Sequence, residues 1–489
     1  MSPLFFSDRT LRTMSSQEEG IIAVSTAVGR SGIGIVRLSG SEKLARFMLE
    51  RMTDIRNPSP RYAHFSAIRD QAGEVIDRGV VIWFKAPHSY TGEDVVEFQT
   101  HGNPVIQNLL IRSALLIGAE AGLRLAEPGE FTRRAFENGR IDLAQAESVM
   151  DLINASSESA VRAAEKSLVG EFSEKCRDIE GKLIDLRTHV EAILDFPEED
   201  IDFIKEGRIR ERVDDLNQRV GTLLEQASQG NMLREGVVIA LVGSPNVGKS
   251  SLLNSLSERE VAIVTDIPGT TRDIVENTII INGLQVNLVD TAGLRETADV
   301  IEQAGIRKAM GELSRADLIL HLEAPETLDS QAELDKIKHH VQPGTKVITV
   351  TNKIDLLRDV PGNTDSHVYI SAKTGEGIEK LKTMIFDAVG FRNSVQGVFI
   401  ARRRHIESLQ KTKESLEKVR EYLSQDQFFL DMVAEELRLA GVSMGQILGE
   451  FTSDQLLEKF SALSASGNSS PYRCNVSRET KDRVSVFDL

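Results

Sequence analysis

The sequence predicts a multidomain α/β and α protein. A doubly wound, mostly parallel sheet is inserted into a helical domain, and an N-terminal region of short strands precedes both. Three observations predict this. Strand and helix patterns alternate from Val237 to about residue 390, as a parallel α/β sheet requires. Apolar residues follow a helical period on both sides: Leu183, Leu186, Val190 and Ile193 before the sheet, and Ile406, Leu409, Leu416, Val419 and Leu423 after it. Neither helical stretch alone has many surfaces to pack against, so the two are expected to pack together. Finally, 489 residues are about three domains' worth at ~150 residues each.

Composition narrows the class. With 40% hydrophobic and 27% charged residues, the chain is neither globally disordered nor fibrous. No run of ~18 apolar residues or signal-peptide core appears, so a cytoplasmic protein without a membrane span is expected. Two cysteines, Cys176 and Cys474, exclude a disulfide scaffold and a cysteine-built zinc site. A net charge of −16 means that any nucleic acid must be held by a local basic patch or a partner.

Taken in order, residues 1–19 form an N-terminal extension. GIIAVSTAVGRSGIGIV (20–36) predicts a strand, a glycine-rich turn and a second strand. GVVIWFK (79–85) and DVVEFQ (94–99) predict further strands around the loop PHSYTGE. The first domain is placed at 20–136. The helical domain is placed at 137–232 and 394–463, its first long helix broken at Pro197 and the acidic run Glu198-Glu199-Asp200. Val213, Leu216, Val220 and Leu223 start the next helix, and Leu430, Val433, Leu437 and Ala440 mark the last. The α/β domain is placed at 233–393. A Ser-rich, polar tail at 464–489 is expected to be disordered.

The α/β segment carries the strongest chemical signal. Strand 237–242 runs into Gly243-x-x-x-x-Gly248-Lys249-Ser250 and then a helix. Such a phosphate loop turns backbone N–H groups onto phosphate oxygens beside a positive helix end. Lys249 reaches the β- and γ-phosphates and Ser250 ligates Mg²⁺; Asn246, Val247, Gly248 and Ser251 complete the loop. Strand 284–289 ends in Asp290-Thr291-Ala292-Gly293, placing a carboxylate near Mg²⁺ and a glycine amide at the γ-phosphate. Strand 346–351 ends in Asn352-Lys353-Ile354-Asp355. A carboxylate there accepts from the N1–H and 2-amino group of guanine, and adenine offers neither. Hydrogen bonds to a charged group are worth roughly 1.5–3 kcal/mol, or about 10- to 100-fold in preference. Ser371-Ala372-Lys373, after a strand at 368–370, walls the base. The four motifs in this order predict a Ras-like P-loop GTPase domain. Its switch I is Thr265-Asp266-Ile267-Pro268-Gly269-Thr270-Thr271-Arg272-Asp273, with Thr271 favoured for Mg²⁺. Leu294 stands where many regulatory GTPases keep a water-orienting glutamine, so another group must orient the water.

Beyond these motifs the chain resembles the MnmE (TrmE) family of tRNA-modification GTPases from about Gly20 to Phe460. The stretches that carry the resemblance are GRSGIGIVRLSG, SYTGEDVVEFQTHGNPVI, PGEFTRRAF, DLAQAESVMDLI, DFPEED, IVTDIPGTTRD, DTAGLR and ARRRHI. The resemblance implies G domains that dimerise during hydrolysis and use K⁺ in the role of an arginine finger. Asn246, Thr265, Ile267 and Thr270 would hold that K⁺. Glu302 would orient water, with Arg272, Asp273 and Arg295 in support. It also implies an N-terminal α+β domain that binds tetrahydrofolate and dimerises the protein, with Arg37, Glu97 and Arg140 at the folate contacts. The implied function is GTP hydrolysis coupled to aminomethyl or carboxymethylaminomethyl addition at C5 of the wobble uridine of certain tRNAs. The implied partner is an FAD-containing MnmG (GidA)-like protein, in a heterotetramer.

The family's short Cys-Ile-Gly-Lys ending is absent here, and Cys474 after Tyr-Arg is expected to be inert. That departure predicts intact GTP hydrolysis and puts tRNA modification in question. A ribosome-associated switch of the Era type shares the G motifs but usually appends an RNA-binding domain. A one-carbon transferase with a vestigial G domain conflicts with the intact G motifs. Arg133-Arg134 and Arg402-Arg403-Arg404 either touch tRNA phosphates or are solvated or paired with acidic helices.

Overall fold

The computed structural model describes residues 19–195, 208–244, 246–256, 278–290, 314–325, 341–392, 397–424 and 429–449. They fall into two compact units, 19–146 and 147–449.

The first unit is a six-stranded sheet with helices. Its strands are β1 (Gly20–Val24), β2 (Ser31–Gly40), β3 (His64–Arg69), β4 (Val75–Phe84), β5 (Asp94–Gly102) and β6 (Leu123–Leu125), in the order β3-β4-β5-β2-β1-β6. All neighbours are antiparallel except β1 and β6. Strand side chains alternate between faces, and that alternation sorts the apolar residues onto two sides of the sheet. Ile22, Val36, Leu38, Val96 and Phe98 enter a core closed by α1 (Glu42–Met52) and α2 (Pro104–Gly118). Ile21 and Ala23 point the other way, onto Phe131 of α3 (Glu130–Glu137). The sequence reading leaves α1 and α2 unplaced. Ser41 and Asn103 cap them, each accepting a backbone N–H of the first turn, at Leu44 and Val105 respectively.

The second unit begins within α4 (Leu143–Ile153) and continues through α5 (Glu158–Val169), α6 (Glu171–Asp195) and α7 (Ile209–Glu235). A sheet comes next, formed by β7 (Val237–Val242), β8 (Thr278–Ile281), β9 (Leu284–Asp290), β10 (Leu318–Glu323), β11 (Lys346–Thr351) and β12 (His367–Tyr369). Its order is β12-β11-β10-β7-β9-β8, parallel throughout except for β8. Helices α8 (Lys249–Leu256) and α9 (Ile378–Val389) accompany it. The chain then returns in α10 (Arg403–Ser424) and α11 (Leu430–Leu448). Helices from before and after the sheet pack on one another, α7 with α10 and α6 with α11, as their shared period requires. Gly230 in α7 allows the returning chain to pass close, since a Cβ there would lie 1.8 Å from the Phe399 carbonyl oxygen. Cys176 is buried in α6.

One feature ties the sheet to these helices, and a second ties the helices to one another. The hairpin between β8 and β9 turns at Asn282-Gly283, both at positive φ (49° and 85°). Its tip is latched to the start of α5. Ser157, the α5 N-cap, donates its hydroxyl to the Gly283 carbonyl at 2.7 Å, and Ser156 bonds the Gln285 side chain. The second feature is a cluster of charged groups at the start of α10. Arg404 donates to both Glu147 oxygens (2.8 and 2.9 Å) and to the carbonyls of Gln446 and Ile447. Arg402 and Arg234 converge on Asp151, each with a bond at 2.9–3.0 Å. His405 is buried, accepting the Arg402 N–H at Nδ1 while Nε2 lies 3.1 Å from Glu147. Arg402 and Arg404 of the ARRRHI stretch are therefore committed to internal ion pairs. Arg403, paired along its own helix with Glu407, remains solvated.

Candidate functional site

The sheet order reverses at β7, so its carboxyl end is the switch point where an α/β sheet binds ligands. The glycine-rich loop leaves β7 there and enters α8. Gly248 has φ +97°, and a Cβ on it would lie 2.3 Å from the Asn352 amide nitrogen, so glycine is required. Asn246 also takes a left-handed φ, of 67°, and is exposed. Val247 is buried, whereas Ser250 and Ser251 are exposed at the first turn of α8. Lys249 folds back over the loop and donates from Nζ to the Gly243 carbonyl at 3.0 Å. That places the ammonium inside the loop that is to hold phosphates.

The residues expected to recognise the base come from two neighbouring strand ends. Asn352 follows β11 and is 2% exposed. Its Nδ2 donates to the Val247 carbonyl at 2.9 Å, and its Oδ1 accepts from the Ala372 N–H at 3.0 Å. One side chain thus joins the phosphate loop to the wall of the base pocket. Lys353 takes φ +64°, which turns the chain so that Asp355 emerges at the surface. Buried Ser371 donates to Asp355 Oδ1 at 2.7 Å and accepts from the Thr374 N–H, fixing the carboxylate. Lys373 is exposed beside them. Asp290 ends β9, in register with Leu241 of the neighbouring β7.

Several predicted residues lie outside the described residues: Thr265, Asp266, Ile267, Pro268, Gly269, Thr270, Thr271, Arg272, Asp273, Thr291, Ala292, Gly293, Leu294, Arg295 and Glu302. The same holds for Pro197 with its acidic run, and for Cys474 and the tail. Among the described residues no group of three or more His, Cys, Asp or Glu side chains could hold a metal. The Ser250 hydroxyl, exposed at the start of α8, is an oxygen donor of the kind hard Mg²⁺ prefers.

In the first unit, strand register sets a second arrangement. Ala23, Arg37 and Glu97 are consecutive partners across β1, β2 and β5. They therefore share the sheet face that carries Phe131. Arg37 donates from Nε to Glu97 Oε1 at 3.0 Å, with both side chains less than a fifth exposed. The Arg37 guanidinium lies 5.5 Å from the ring centroid of Tyr90 and 5.7 Å from that of Phe131. The loop carrying Tyr90 also brings in Arg140: a Cβ on Gly92 would lie 3.0 Å from Arg140 Cγ.

A buried charge network holds this loop and α3. Arg134, 4% exposed at its side chain, donates to Glu93 and Glu130, and Arg124 pairs with Glu130 through two bonds. Burial would raise the Glu130 carboxyl, but Arg124, the Glu127 N–H and Arg134 outweigh it and hold it at about 2. Arg133 pairs with Glu127, Glu130 and Glu137. Arg133 and Arg134 thus pair internally. Sequence reasoning missed Tyr90 and Phe131, whose rings flank the Arg37 guanidinium, and Glu93 and Glu130, which hold Arg134. Strand alternation puts Arg37 and Glu97 on one face, but these four lie in the loop before β5 and on α3, and only the tertiary fold brings them in.

Residues 20–140 match the family described as GTP-binding protein TrmE N-terminus, and residues 143–461 match the MnmE helical domain. The tRNA modification GTPase MnmE of Bordetella avium is 48% identical over 439 residues, covering 89% of this chain and 96% of that protein. Its counterpart in Ralstonia nicotianae is 47% identical over 448 residues, covering 89% and 94%. Among solved structures, the G domain of the T. maritima FeoB iron transporter matches 31% of this chain and 98% of its own, with 26% identity and a TM-score of 0.22. Identity of this extent over nearly the whole length of both chains shows that the chain belongs to the MnmE (TrmE) family of tRNA modification GTPases.

Proposed function

We propose that the chain hydrolyses GTP in a K⁺-dependent cycle that serves modification of C5 of the wobble uridine in certain tRNAs. The observation that carries this reading is the Asn352 bridge, which links guanine recognition to the phosphate loop. The P-loop N–H groups and Lys249 hold the phosphates, and Lys249 exchanges its bond to the Gly243 carbonyl for phosphate oxygens. Asp355, fixed by Ser371, accepts from the guanine N1–H and 2-amino group. Ser250 and Thr271 would hold Mg²⁺, which would supply charge neutralisation at the phosphates. Asn246, with Thr265, Ile267 and Thr270, would hold K⁺, which would supply the positive charge that an arginine finger supplies in other GTPases. Glu302 orients the attacking water, with Arg272, Asp273 and Arg295 in support.

In the first unit, Arg37, Glu97 and Arg140 bind a tetrahydrofolate derivative that supplies the one-carbon unit. The fit rests on chemistry: a carboxylate accepts from a pterin's N–H groups, an arginine pairs with polar or anionic groups, and Tyr90 and Phe131 offer aromatic surface. The working assembly is a homodimer joined by an FAD-containing MnmG (GidA)-like protein, with tRNA as substrate. The match of residues 20–140 to the TrmE N-terminus supports this over a ribosome-bound switch. No helix among the described residues is long and apolar enough to cross a membrane.

The test is GTP turnover in K⁺ against Na⁺ at equal ionic strength, with Asn246→Ala beside the parent chain. Strong K⁺ stimulation that the variant loses is expected. Equal, slow turnover of the parent in both salts would remove the K⁺ mechanism.

A further inference from the structure

A chain of net charge −16 that acts on tRNA needs a local surface where phosphates are welcome. The arginine runs most visible in the sequence are largely unsuited to it. Arg134, Arg402 and Arg404 are held in internal ion pairs, and Arg133 faces three glutamates. The structure offers a different place. A cleft of about 510 Å³ opens in the second unit between α5, α7 and the chain leaving the nucleotide-binding sheet. Among the described residues its charged lining is Arg162, Lys166 and Arg392, with Ser159 and Gln229 between them and no carboxylate. Lys175 stands beside the same cleft near Gly397, its ammonium bonded to Gln226 and 5.2 Å from the Phe399 ring.

We propose that this cleft is a track for RNA phosphates, through which the chain grips its tRNA. The proposal rests on the reading that tRNA is the substrate. Three cations around one concavity concentrate positive potential against an acidic background, and low-dielectric walls focus it. The cations already paired are paired at the surface. Arg162 with Glu158 and Arg392 with Glu225 are exposed ion pairs, and neither glutamate lines the cleft. Such pairs are weak, so a phosphate can take over the guanidinium. Ser159 adds a neutral donor suited to phosphate or ribose oxygens, whereas buried Gln229 holds the wall in place, donating to the Gly390 carbonyl and accepting the Arg392 N–H. The lining has one aromatic side chain, Phe391, which does not make the stacking platform that unpaired bases require. The surface therefore suits a backbone and not a base sequence, and the tRNA is held here by phosphate position.

The experiment measures binding of a labelled, unmodified tRNA to the full-length chain across a salt series. A Lys166→Ala/Arg392→Ala double variant is compared with the parent and with Lys166→Arg/Arg392→Lys. Loss of two phosphate contacts lowers the slope of log affinity against log salt by about 2. Affinity at low salt falls several-fold, and the charge-conserving variant restores it. GTP turnover and melting temperature, read on the same samples, stay at parental values because neither residue touches the nucleotide site. An unchanged slope and affinity in the double variant would overturn the cleft while leaving the tRNA reading intact. Absence of tRNA binding by the parent even at low salt would overturn both. Competition by AMP as effective as that by tRNA, at equal phosphate, would make the cleft a small-phosphate pocket and overturn the RNA track.

Discussion

The Glu147 carboxylate offers a sharp test of how the helices are held. Burial would raise its pKa, yet His405, whose Nε2 lies 3.1 Å away, and the hydrogen bonds from Arg404 outweigh burial and bring it from an ordinary 4.5 to about 2. At about 1.4 kcal/mol per pH unit, that difference is worth about 3 kcal/mol of stability while the group is ionised. The side chain is 18% exposed, so solvent screens this only in part. The sign comes from a folded-state pKa below the unfolded one. The stabilisation is fully present above about pH 4.5 and is lost as pH falls towards 2. Glu147→Gln removes the charge and leaves Arg404 one neutral amide oxygen beside the Gln446 and Ile447 carbonyls, with the amide NH₂ in place of the second acceptor. It also leaves His405 beside two arginines; burial lowers the pKa of this imidazole, and Glu147 is the group that raises it. The variant should lose about 3 kcal/mol near neutral pH, within the range for breaking a buried pair. It should lose much less near pH 3. The assay is hydrogen exchange of α4 and α10 amides at both pH values, since a multidomain chain does not unfold in one step. A loss below about 0.5 kcal/mol at neutral pH, or an equal loss at both, would refute the reasoning.

Other expectations rest on single contacts. Gly248→Ala places a methyl 2.3 Å from the Asn352 amide at a positive φ, so GTP affinity should fall at least about tenfold, measured with a fluorescent GTP analogue. Retained affinity would mean that the loop has room the geometry denies. Asp355→Asn turns an acceptor pair into a mixed donor and acceptor, so GTP should lose about 10- to 100-fold and xanthosine triphosphate should gain; competition binding decides. Ser157→Ala removes both an N-cap and the bond to Gly283, costing about 1 kcal/mol, and amides of the β8–β9 hairpin should exchange faster. Unaltered exchange would mean that the hairpin holds itself.

Much of this molecule is legible in its sequence wherever one local rule suffices. Strands 237–242 and 346–351 coincide with β7 and β11 to the residue, because apolar runs there stop abruptly at a glycine-rich loop and at the polar Asn352-Lys353. The helical period likewise places α6, α7, α10 and α11. Long-range facts are another matter. Helix α2, PVIQNLLIRSALLIG, is apolar on most sides, which blurs its period, and its exposed Val105, Leu109 and Leu116 add no contrast. Whether Arg134 meets a phosphate or Glu130 cannot be read from a run of two arginines. It depends on β6 bringing Arg124, and a loop bringing Glu93, to the same buried point. Arg37 and Glu97 are 60 positions apart, and only the pairing of β2 with β5 makes them neighbours.

The latch at Gly283 has a mechanical consequence. The β8–β9 hairpin is the span of chain between switch I and the Asp290 motif, so whatever the nucleotide does to either loop loads this ribbon. From its tip to Asp290, β9 covers seven residues, or about 20 Å at strand rise. With the tip pinned by Ser157, the ribbon is a lever whose fulcrum lies on the helical domain. Because that tip is bonded to the start of a helix that also lines the basic cleft, any displacement of the hairpin would be shared with α5.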